Sequence, residues 1–225
     1  MRMKKAFIFD MDGVIINSEP LHAKAKLEAL RQFGLSCDEK ELVRYVGRTA
    51  LDFYTEFLGQ HPLPDVTARE MTDLKHELYL DILAGDASIQ PIDGVKDLLA
   101  RLKGAGYLIA LGSSSTPKII ETVLTRFGIK AYFQVILAGS QLPKSKPDPA
   151  IYLLAAKKLQ VKPEECIVLE DATSGIAAAK AAGMYCIAYR NLTSGRQDLT
   201  RADRVVEHLD EIKVEELLKL AADKN

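Results

Sequence analysis

Two pairs of acidic residues stand where apolar segments end, and their types and spacing favour metal binding. Asp10 and Asp12 end the segment AFIFDMD, and side-chain alternation along a strand directs both carboxylates to the same side. Glu170 and Asp171 follow the apolar residues Ile167–Leu169 in the same way. Carboxylates gathered at one edge repel one another, and a hard divalent cation, Mg²⁺ above all, relieves that repulsion. The alternative is that each pair caps a turn or a helix start, as isolated aspartates commonly do.

Small residues and a lysine supply groups that could bind an anion near those carboxylates. The segment LGSSSTP places Ser113 and Ser114 directly before a predicted helix, where backbone N–H groups, hydroxyls and the helix dipole favour phosphate. Lys146, in KSKPDP, lies between a predicted strand and the next helix, so its ammonium could neutralise a phosphate or Asp10. Each signal alone is common in turns or on solvated surfaces. Their expected position beside Asp10 and Asp12 is what favours a phosphate site.

Short apolar segments that alternate with helical patterns predict a buried parallel sheet. The predicted strands are Ala6–Phe9, Leu108–Leu111, Val135–Leu137, Ile167–Leu169 and Ile187–Tyr189. Helices are predicted to begin at Thr116-Pro117, Asp148-Pro149 and about Ser174. This alternation predicts a doubly wound, Rossmann-like α/β domain whose ligand crevice lies beyond the carboxyl ends of the strands.

The long segment between the first and second strands has a different pattern and is predicted to be helical throughout. Ser36 with Glu39, and Thr67 with Glu70, have the spacing of capping boxes. One apolar helix face is predicted from Met71, Leu74, Leu78 and Ile82. We therefore predict a small all-helical cap at residues 16–88, inserted into a core domain formed by residues 1–15 and 89–225.

Composition excludes several classes of function. The chain of 225 residues has 30 basic and 31 acidic side chains, so it lacks the net positive charge that attracts nucleic acid or an anionic membrane. No apolar segment approaches the roughly 18 residues needed to span a bilayer, and the N-terminal apolar run is too short for a signal peptide. The three cysteines have no metal-like spacing, and we expect reduced thiols in the cytoplasm.

The motifs FDMDGVI, LGSSS, SKPDP and LEDATSG resemble, in order and position, those of the haloacid dehalogenase superfamily. The resemblance covers the whole chain and is closest to the subgroup with a helical cap, which includes sugar-phosphate phosphatases and β-phosphoglucomutase. It implies that Asp10 is the nucleophile and a Mg²⁺ ligand, and that Asp12 is the general acid and base and gives its backbone carbonyl to the metal. It further implies phosphate binding by Ser113 and Lys146, with Ser114 as an additional donor, and metal binding by Glu170 and Asp171, either directly or through water.

The resemblance implies a phosphatase for small phosphorylated metabolites, hexose phosphates in particular. Asp12 argues against the dehalogenases, which need no acid for the leaving group, and against the phosphonatases. The cap residues His22, Gly47 and Arg48 are predicted to contact the substrate, although His22 and Arg48 could equally be ordinary surface side chains. By ungapped matching, Ala50 and Asp81 stand where the mutase has a cap arginine and a cap lysine, which favours a phosphatase over β-phosphoglucomutase.

Two further possibilities stay open at this stage. An inactive family member retained as a binding module would keep the fold without turnover, but the intact set of motifs argues against it. The oligomeric state is expected to be a monomer or a homodimer.

Overall fold

The computed structural model describes residues 5–38, 42, 45 and 49–217. It contains a parallel sheet of six strands in the order β3-β2-β1-β4-β5-β6. The strands are β1 Ala6–Phe9, β2 Leu108–Ser113, β3 Val135–Ala138, β4 Cys166–Glu170, β5 Tyr185–Tyr189 and β6 Arg204–Val206. The predicted α/β class with a doubly wound parallel sheet is therefore confirmed.

The helices alternate with these strands after a helical segment that follows β1. They are α1 Glu19–Gln32, α2 Ala50–Gln60, α3 Ala68–Gly85, α4 Val95–Gly104, α5 Pro117–Arg126, α6 Ala150–Lys158, α7 Thr173–Ala181 and α8 Val214–Leu217. Among the residues described, no helix combines the length and the apolar composition that a membrane crossing requires.

The central strand β1 shows why the sheet forms where the sequence is continuously apolar. All four residues of AFIF are fully buried, because helices cover both faces of a parallel sheet. In register, Phe9 pairs with Leu111 of β2 on one side and with Leu169 of β4 on the other. The carboxyl ends of β1, β2 and β4 therefore lie side by side, and the motifs that follow them meet at one edge.

Local signals in the sequence account for several helix boundaries. The Thr116 side chain accepts a hydrogen bond from the backbone N–H of Ile119, with a proline at the start of α5, as predicted. The buried residues of α4 recur at helical spacing and form one apolar face against the sheet: Val95, Leu98, Leu99 and Leu102.

The chain forms two compact units. The sheet unit comprises Met1–Asn17, Gln90–Leu192 and Arg196–Asn225, and the helical unit comprises Ser18–Ile89 and Thr193–Gly195. The helical unit contains α1, α2 and α3. It overlaps the predicted insert at residues 16–88, whose role as a cap stays a prediction.

The helical unit has its own core, which is rich in aromatic side chains. One of the two predicted capping boxes lies within the described residues. The capping box of Thr67 and Glu70 at the start of α3 is present in full, which confirms that prediction. In the other predicted box Glu39 lies outside the described residues. The predicted apolar face is confirmed in part, because Met71 is buried and Leu74 and Leu78 pack against the core of the helical unit. The helix also buries Thr72, Lys75, Tyr79 and Leu83, which the pattern did not single out. A lysine is thus buried where the pattern predicted only apolar side chains.

Candidate active site

Three acidic residues come together at the carboxyl ends of neighbouring strands. Asp10 follows β1 directly, and its backbone N–H donates to the carbonyl of Leu169 in β4 at 3.0 Å. Glu170 ends β4, and Asp171 is the next residue. Carboxylate oxygens of Asp10, Glu170 and Asp171 lie within 4.8 Å of one another, and all three residues are buried. The arrangement follows from the parallel register of β1 and β4.

Lys146 inserts its ammonium into this group of carboxylates. Its Nζ lies 2.8 Å from Asp10 Oδ1 and 2.7 Å from Glu170 Oε1, and the side chain is 7% exposed. Burial alone would lower the pKa of Lys146, but the charges of Asp10 and Glu170 outweigh burial and leave the pKa raised. The lysine is therefore a permanent cation that links β1 to β4.

The electrostatic state of Asp10 indicates that one ammonium does not balance the site. Burial, opposed by Lys146 and reinforced by Glu170, Asp171 and Asp12, raises the pKa of Asp10 well above its usual range. Additional positive charge at this position would favour the ionised carboxylate. Because the converging ligand atoms are all hard carboxylate oxygens, Asp10, Glu170 and Asp171 fit a hard divalent metal ion.

Asp12 is oriented by the loop that follows β2. Its Oδ2 accepts hydrogen bonds from the hydroxyl of Ser115 at 2.8 Å and from that of Ser113 at 3.3 Å. The Ser113 hydroxyl also accepts from the backbone N–H of Ser115 at 3.0 Å. Gly13, the residue after Asp12, adopts a positive φ of 77°, which a glycine tolerates without strain. Two strand ends therefore hold Asp12 in one orientation.

The serines of the LGSSS segment differ in their surroundings. Ser113 is fully buried, whereas Ser114 is exposed and its hydroxyl makes no hydrogen bond within the described part of the chain. Ser115, which the sequence placed in the same loop without giving it a role of its own, contacts Asp12 instead. A run of small hydroxyl residues before a helix indicated the loop, but it could not indicate which hydroxyl turns inwards.

The predicted residues of the helical unit are only partly described. His22 lies on α1, and its Nδ1 is 2.9 Å from Nζ of Lys75 on α3. The His22 ring also packs on Tyr79, with ring centroids 4.4 Å apart. Gly47 and Arg48 lie outside the described residues. The partner of His22 was not predicted, because the two residues are 53 positions apart and meet only through helix packing.

Tyr152 is a second residue that sequence reasoning missed. Its hydroxyl donates to Oε1 of Glu170 at 2.6 Å, from the first turn of α6. In the sequence Tyr152 belongs to the apolar pattern IYLLAA and resembles an ordinary core residue. Only its position, in the first turn of the helix that follows Lys146, could have indicated a role at the site.

Comparison with known proteins gives relatives with named activities. The chain is 35% identical over 188 residues to a fructose-1-phosphate phosphatase of Escherichia coli, covering 82% of this chain and 96% of that protein. It is 31% identical over 215 residues to a bifunctional riboflavin kinase/FMN phosphatase of Arabidopsis thaliana, covering 95% of this chain and 56% of the relative. The solved structure of a β-phosphoglucomutase from Clostridium difficile superposes with a TM-score of 0.80 at 28% identity, covering 99% of this chain and all of that one.

The sheet and its buried acidic cluster define an α/β enzyme with a site that could hold a metal at the carboxyl ends of the strands. Residues 7–189 match the family described as haloacid dehalogenase-like hydrolases. The chain belongs to this family, which confirms the resemblance that its motifs indicated. The predicted enzyme class, a phosphoric monoester hydrolase, is confirmed by the phosphatases among its relatives.

Proposed function

We propose that this protein is a magnesium-dependent phosphatase that hydrolyses small sugar phosphates through an aspartyl phosphate on Asp10. The observation that carries the proposal is the buried cluster in which Asp10 lies 2.8 Å from Lys146, with Glu170 and Asp171 beside it. A salt bridge between Asp10 and Lys146 would not require two further acids beside it. Nucleophilic attack on a phosphate dianion does require concentrated positive charge, which Lys146 and a metal ion held by those acids would supply.

Asp10 is the nucleophile of the first step. One carboxylate oxygen of Asp10 forms a bond to phosphorus while the bond from phosphorus to the ester oxygen breaks, which leaves the phosphoryl group on Asp10. The two anions repel each other, and Lys146 offsets that repulsion because its ammonium contacts Asp10 and lies beside the phosphoryl position. The hydroxyls and backbone N–H groups at Ser113 and Ser114 bind the phosphoryl oxygens.

Asp12 moves the protons of both steps. It donates a proton to the departing ester oxygen, so the leaving group departs as a neutral alcohol. As a carboxylate it then takes a proton from the water that attacks phosphorus, and the bond from phosphorus to Asp10 breaks. The hydrogen bond of 2.8 Å from Ser115 to Oδ2 keeps the Asp12 carboxyl in a fixed orientation for both transfers. The Ser113 hydroxyl, whose bond to Oδ2 is longer at 3.3 Å, turns to the phosphoryl group when the substrate binds.

Asp10, Glu170 and Asp171, together with the backbone carbonyl of Asp12, would hold Mg²⁺. When bound, the ion supplies positive charge that stabilises the phosphoryl oxygens and the ionised Asp10. The carboxylates supply oxygen ligands of the kind that Mg²⁺ prefers.

The substrate class follows from the relatives and not from the cluster itself. A fructose-1-phosphate phosphatase is among them, so we propose small sugar phosphates. Residues of the predicted cap, His22, Gly47 and Arg48, would contact the part of the substrate that does not react. We place the enzyme in the cytoplasm, where its free thiols, Cys37, Cys166 and Cys186, stay reduced. It would act as a monomer or a homodimer on one small phosphorylated metabolite.

The alternative, β-phosphoglucomutase, differs only in the acceptor that takes the phosphoryl group from Asp10. It is not favoured, because both curated relatives described above carry phosphatase activity.

Phosphorus NMR on the purified protein with Mg²⁺ tests the proposal and separates the two acceptors. The panel contains fructose 1-phosphate, glucose 6-phosphate, and β-glucose 1-phosphate with a trace of glucose 1,6-bisphosphate. Growth of inorganic phosphate that stops with EDTA and returns with excess Mg²⁺ supports the phosphatase. Formation of glucose 6-phosphate without inorganic phosphate would establish the mutase instead. Equal rates for wild type and Asp10→Asn would overturn both.

A further inference from the structure

Tyr152 places a buried hydroxyl against one of the proposed metal-binding residues. The residue is fully buried, and its hydroxyl donates to Glu170 Oε1 at 2.6 Å. This distance is in the range of a strong hydrogen bond from a hydroxyl to a carboxylate. Because an ionised carboxylate only accepts hydrogen bonds, the tyrosine hydroxyl is the donor of this pair.

The Glu170 carboxylate is held at both of its oxygens. Oε1 accepts from Lys146 Nζ at 2.7 Å and from Tyr152, and Oε2 accepts from the backbone N–H groups of Asp171 at 3.0 Å and Ala172 at 3.2 Å. A carboxylate offers about four lone-pair directions, so a metal ion that binds Glu170 would take the place of one of these four donors. Gly175 leaves the space that the carboxylate fills, because a Cβ at that position would overlap Glu170. Glu170 therefore has a single orientation.

Tyr152 also contacts the lysine of the same cluster. The Lys146 ammonium lies 4.9 Å from the centroid of the Tyr152 ring, over its face. One side chain thus touches Glu170 with its hydroxyl and Lys146 with its ring. The hydroxyl and the ammonium both donate to Glu170 Oε1, while the ammonium keeps its second contact with Asp10 at 2.8 Å.

The packing role of the ring is separable from the role of the hydroxyl. The ring edge of Tyr152 lies beside Gly112, where a Cβ on the glycine would come within 3.5 Å of Cε1. A phenylalanine keeps this packing and removes only the donor. The change Tyr152→Phe therefore isolates the hydrogen bond to Glu170.

We propose that Tyr152 is a positioning residue whose hydroxyl fixes the Glu170 carboxylate for metal binding and keeps Lys146 shared between Glu170 and Asp10. The inference rests on the proposed function, since it takes Glu170 as part of the Mg²⁺ site. Groups that orient metal-binding residues through hydrogen bonds contribute about 10-fold to 100-fold to metal affinity or activity.

The test measures metal affinity directly on the metal-free full-length protein. Mg²⁺ binding is followed by isothermal titration, and Mn²⁺ binding by the electron paramagnetic resonance signal of the free ion. We expect Tyr152→Phe to raise the dissociation constants about tenfold. The turnover rate of Tyr152→Phe should be far below that of wild type at limiting Mg²⁺ and close to it at saturating Mg²⁺. The KM for the phosphate ester should be unchanged.

Tyr107→Phe is the matched control. Tyr107 is another buried tyrosine of the sheet unit, and its hydroxyl has no hydrogen-bond partner among the described residues. The control variant should bind both metals like wild type. A purely structural role for Tyr152 would lower the melting temperature and leave the metal dissociation constants unchanged, which would overturn the inference.

A double-mutant cycle with Glu170→Gln gives a second test that does not depend on the stability of one variant. If Tyr152 acts through Glu170, Tyr152→Phe should have little further effect on metal affinity in the Glu170→Gln background. Fully additive effects would contradict the inference. Failure of wild type itself to bind Mg²⁺ is a different outcome, since it would refute the proposed metal-dependent function.

Discussion

Two buried lysines, Lys146 in the sheet unit and Lys26 in the helical unit, have opposite electrostatic surroundings. In the sheet unit, Lys146 forms ion pairs with Asp10 and Glu170 at 2.8 and 2.7 Å. In the helical unit, Lys26 is 5% exposed, and its ammonium lies 5.7 Å from the ring centroid of Phe53. Within the part of the chain that the structure describes, Lys26 makes no salt bridge. Burial accordingly lowers the pKa of Lys26, whereas the pKa of Lys146 is raised.

This difference has consequences for stability and for function. A buried charge with hydrogen-bonded partners of opposite sign is costly to remove, because its partners are left buried without compensation. A buried cation held against an aromatic ring costs desolvation energy that a similar apolar side chain would avoid. The charges of the sheet unit should therefore be essential to both fold and turnover, while Lys26 should be replaceable as far as folding is concerned.

The largest expected effect is on turnover and belongs to Asp10. Asp10→Asn removes the nucleophile but keeps the shape, so steady-state phosphatase activity should fall by at least about 10⁴-fold. Asp97→Asn is the control, since Asp97 is an exposed carboxylate of α4 that pairs with Arg101 on the surface. It should retain the wild-type rate, and equal losses in both variants would remove the distinction between site and surface.

The next effect is on the stability of the sheet unit. Lys146→Met should lower the free energy of unfolding of the metal-free protein by about 3 to 5 kcal/mol, because it leaves two buried carboxylates without their cation. Urea denaturation measures the change. Lys130→Met, which removes an exposed pair with Glu121, should change stability far less. Similar losses for the two lysines would show that burial does not decide the strength of these pairs.

The helical unit should respond in the opposite direction. Lys26→Met keeps the length of the side chain and removes a desolvated charge, so the free energy of unfolding should rise by about 1 to 2 kcal/mol. The same urea experiment applies. A loss of stability as large as that of Lys146→Met would break the proposed contrast between the units.

The smallest effect concerns pH and His76. Burial, with added repulsion from Lys75 and His22, lowers the pKa of His76 from 6.5 to about 4. Between these values the unfolded chain binds a proton that the folded chain does not, so stability should fall as the pH drops from 6.5 to 4. His76 is partly exposed, so solvent screening should limit the loss to about 1 kcal/mol. In His76→Gln this part of the pH dependence should disappear, and an unchanged slope would contradict it.

The sequence predicted those features that depend on strand ends. Continuous apolar segments located five of the six strands, and residues directly after β1 and β4 had to meet once the sheet was parallel. Asp10, Glu170 and Asp171 were expected to converge for this reason, and Lys146 because it lies in the loop before the next helix. The strand β6 was missed, because its three residues Arg204–Val206 are too short to give a pattern.

Contacts that depend on helix packing were beyond the sequence. Lys75 is buried because α3 packs a wider face inwards than the one its leucines indicated, and this brings Lys75 to His22. Tyr152 has an apolar setting in the sequence, and only its side-chain direction brings the hydroxyl to Glu170. The choice of Ser115 over Ser114 as the partner of Asp12 likewise depends on how the loop after β2 turns.

Whether Asp10 carries the phosphoryl group is tested most directly by trapping the aspartyl phosphate. The enzyme is mixed with Mg²⁺ and the best sugar phosphate, quenched in acid during turnover, digested and analysed by mass spectrometry. We expect one phosphoryl group on the peptide that contains Asp10. With an aryl phosphate, whose leaving group departs without a proton, Asp12→Ala should hold more of it, because only the water that discharges the intermediate then needs Asp12 as its base. Turnover in wild type with no phosphoryl group on Asp10, in either protein, would rule out the aspartyl phosphate.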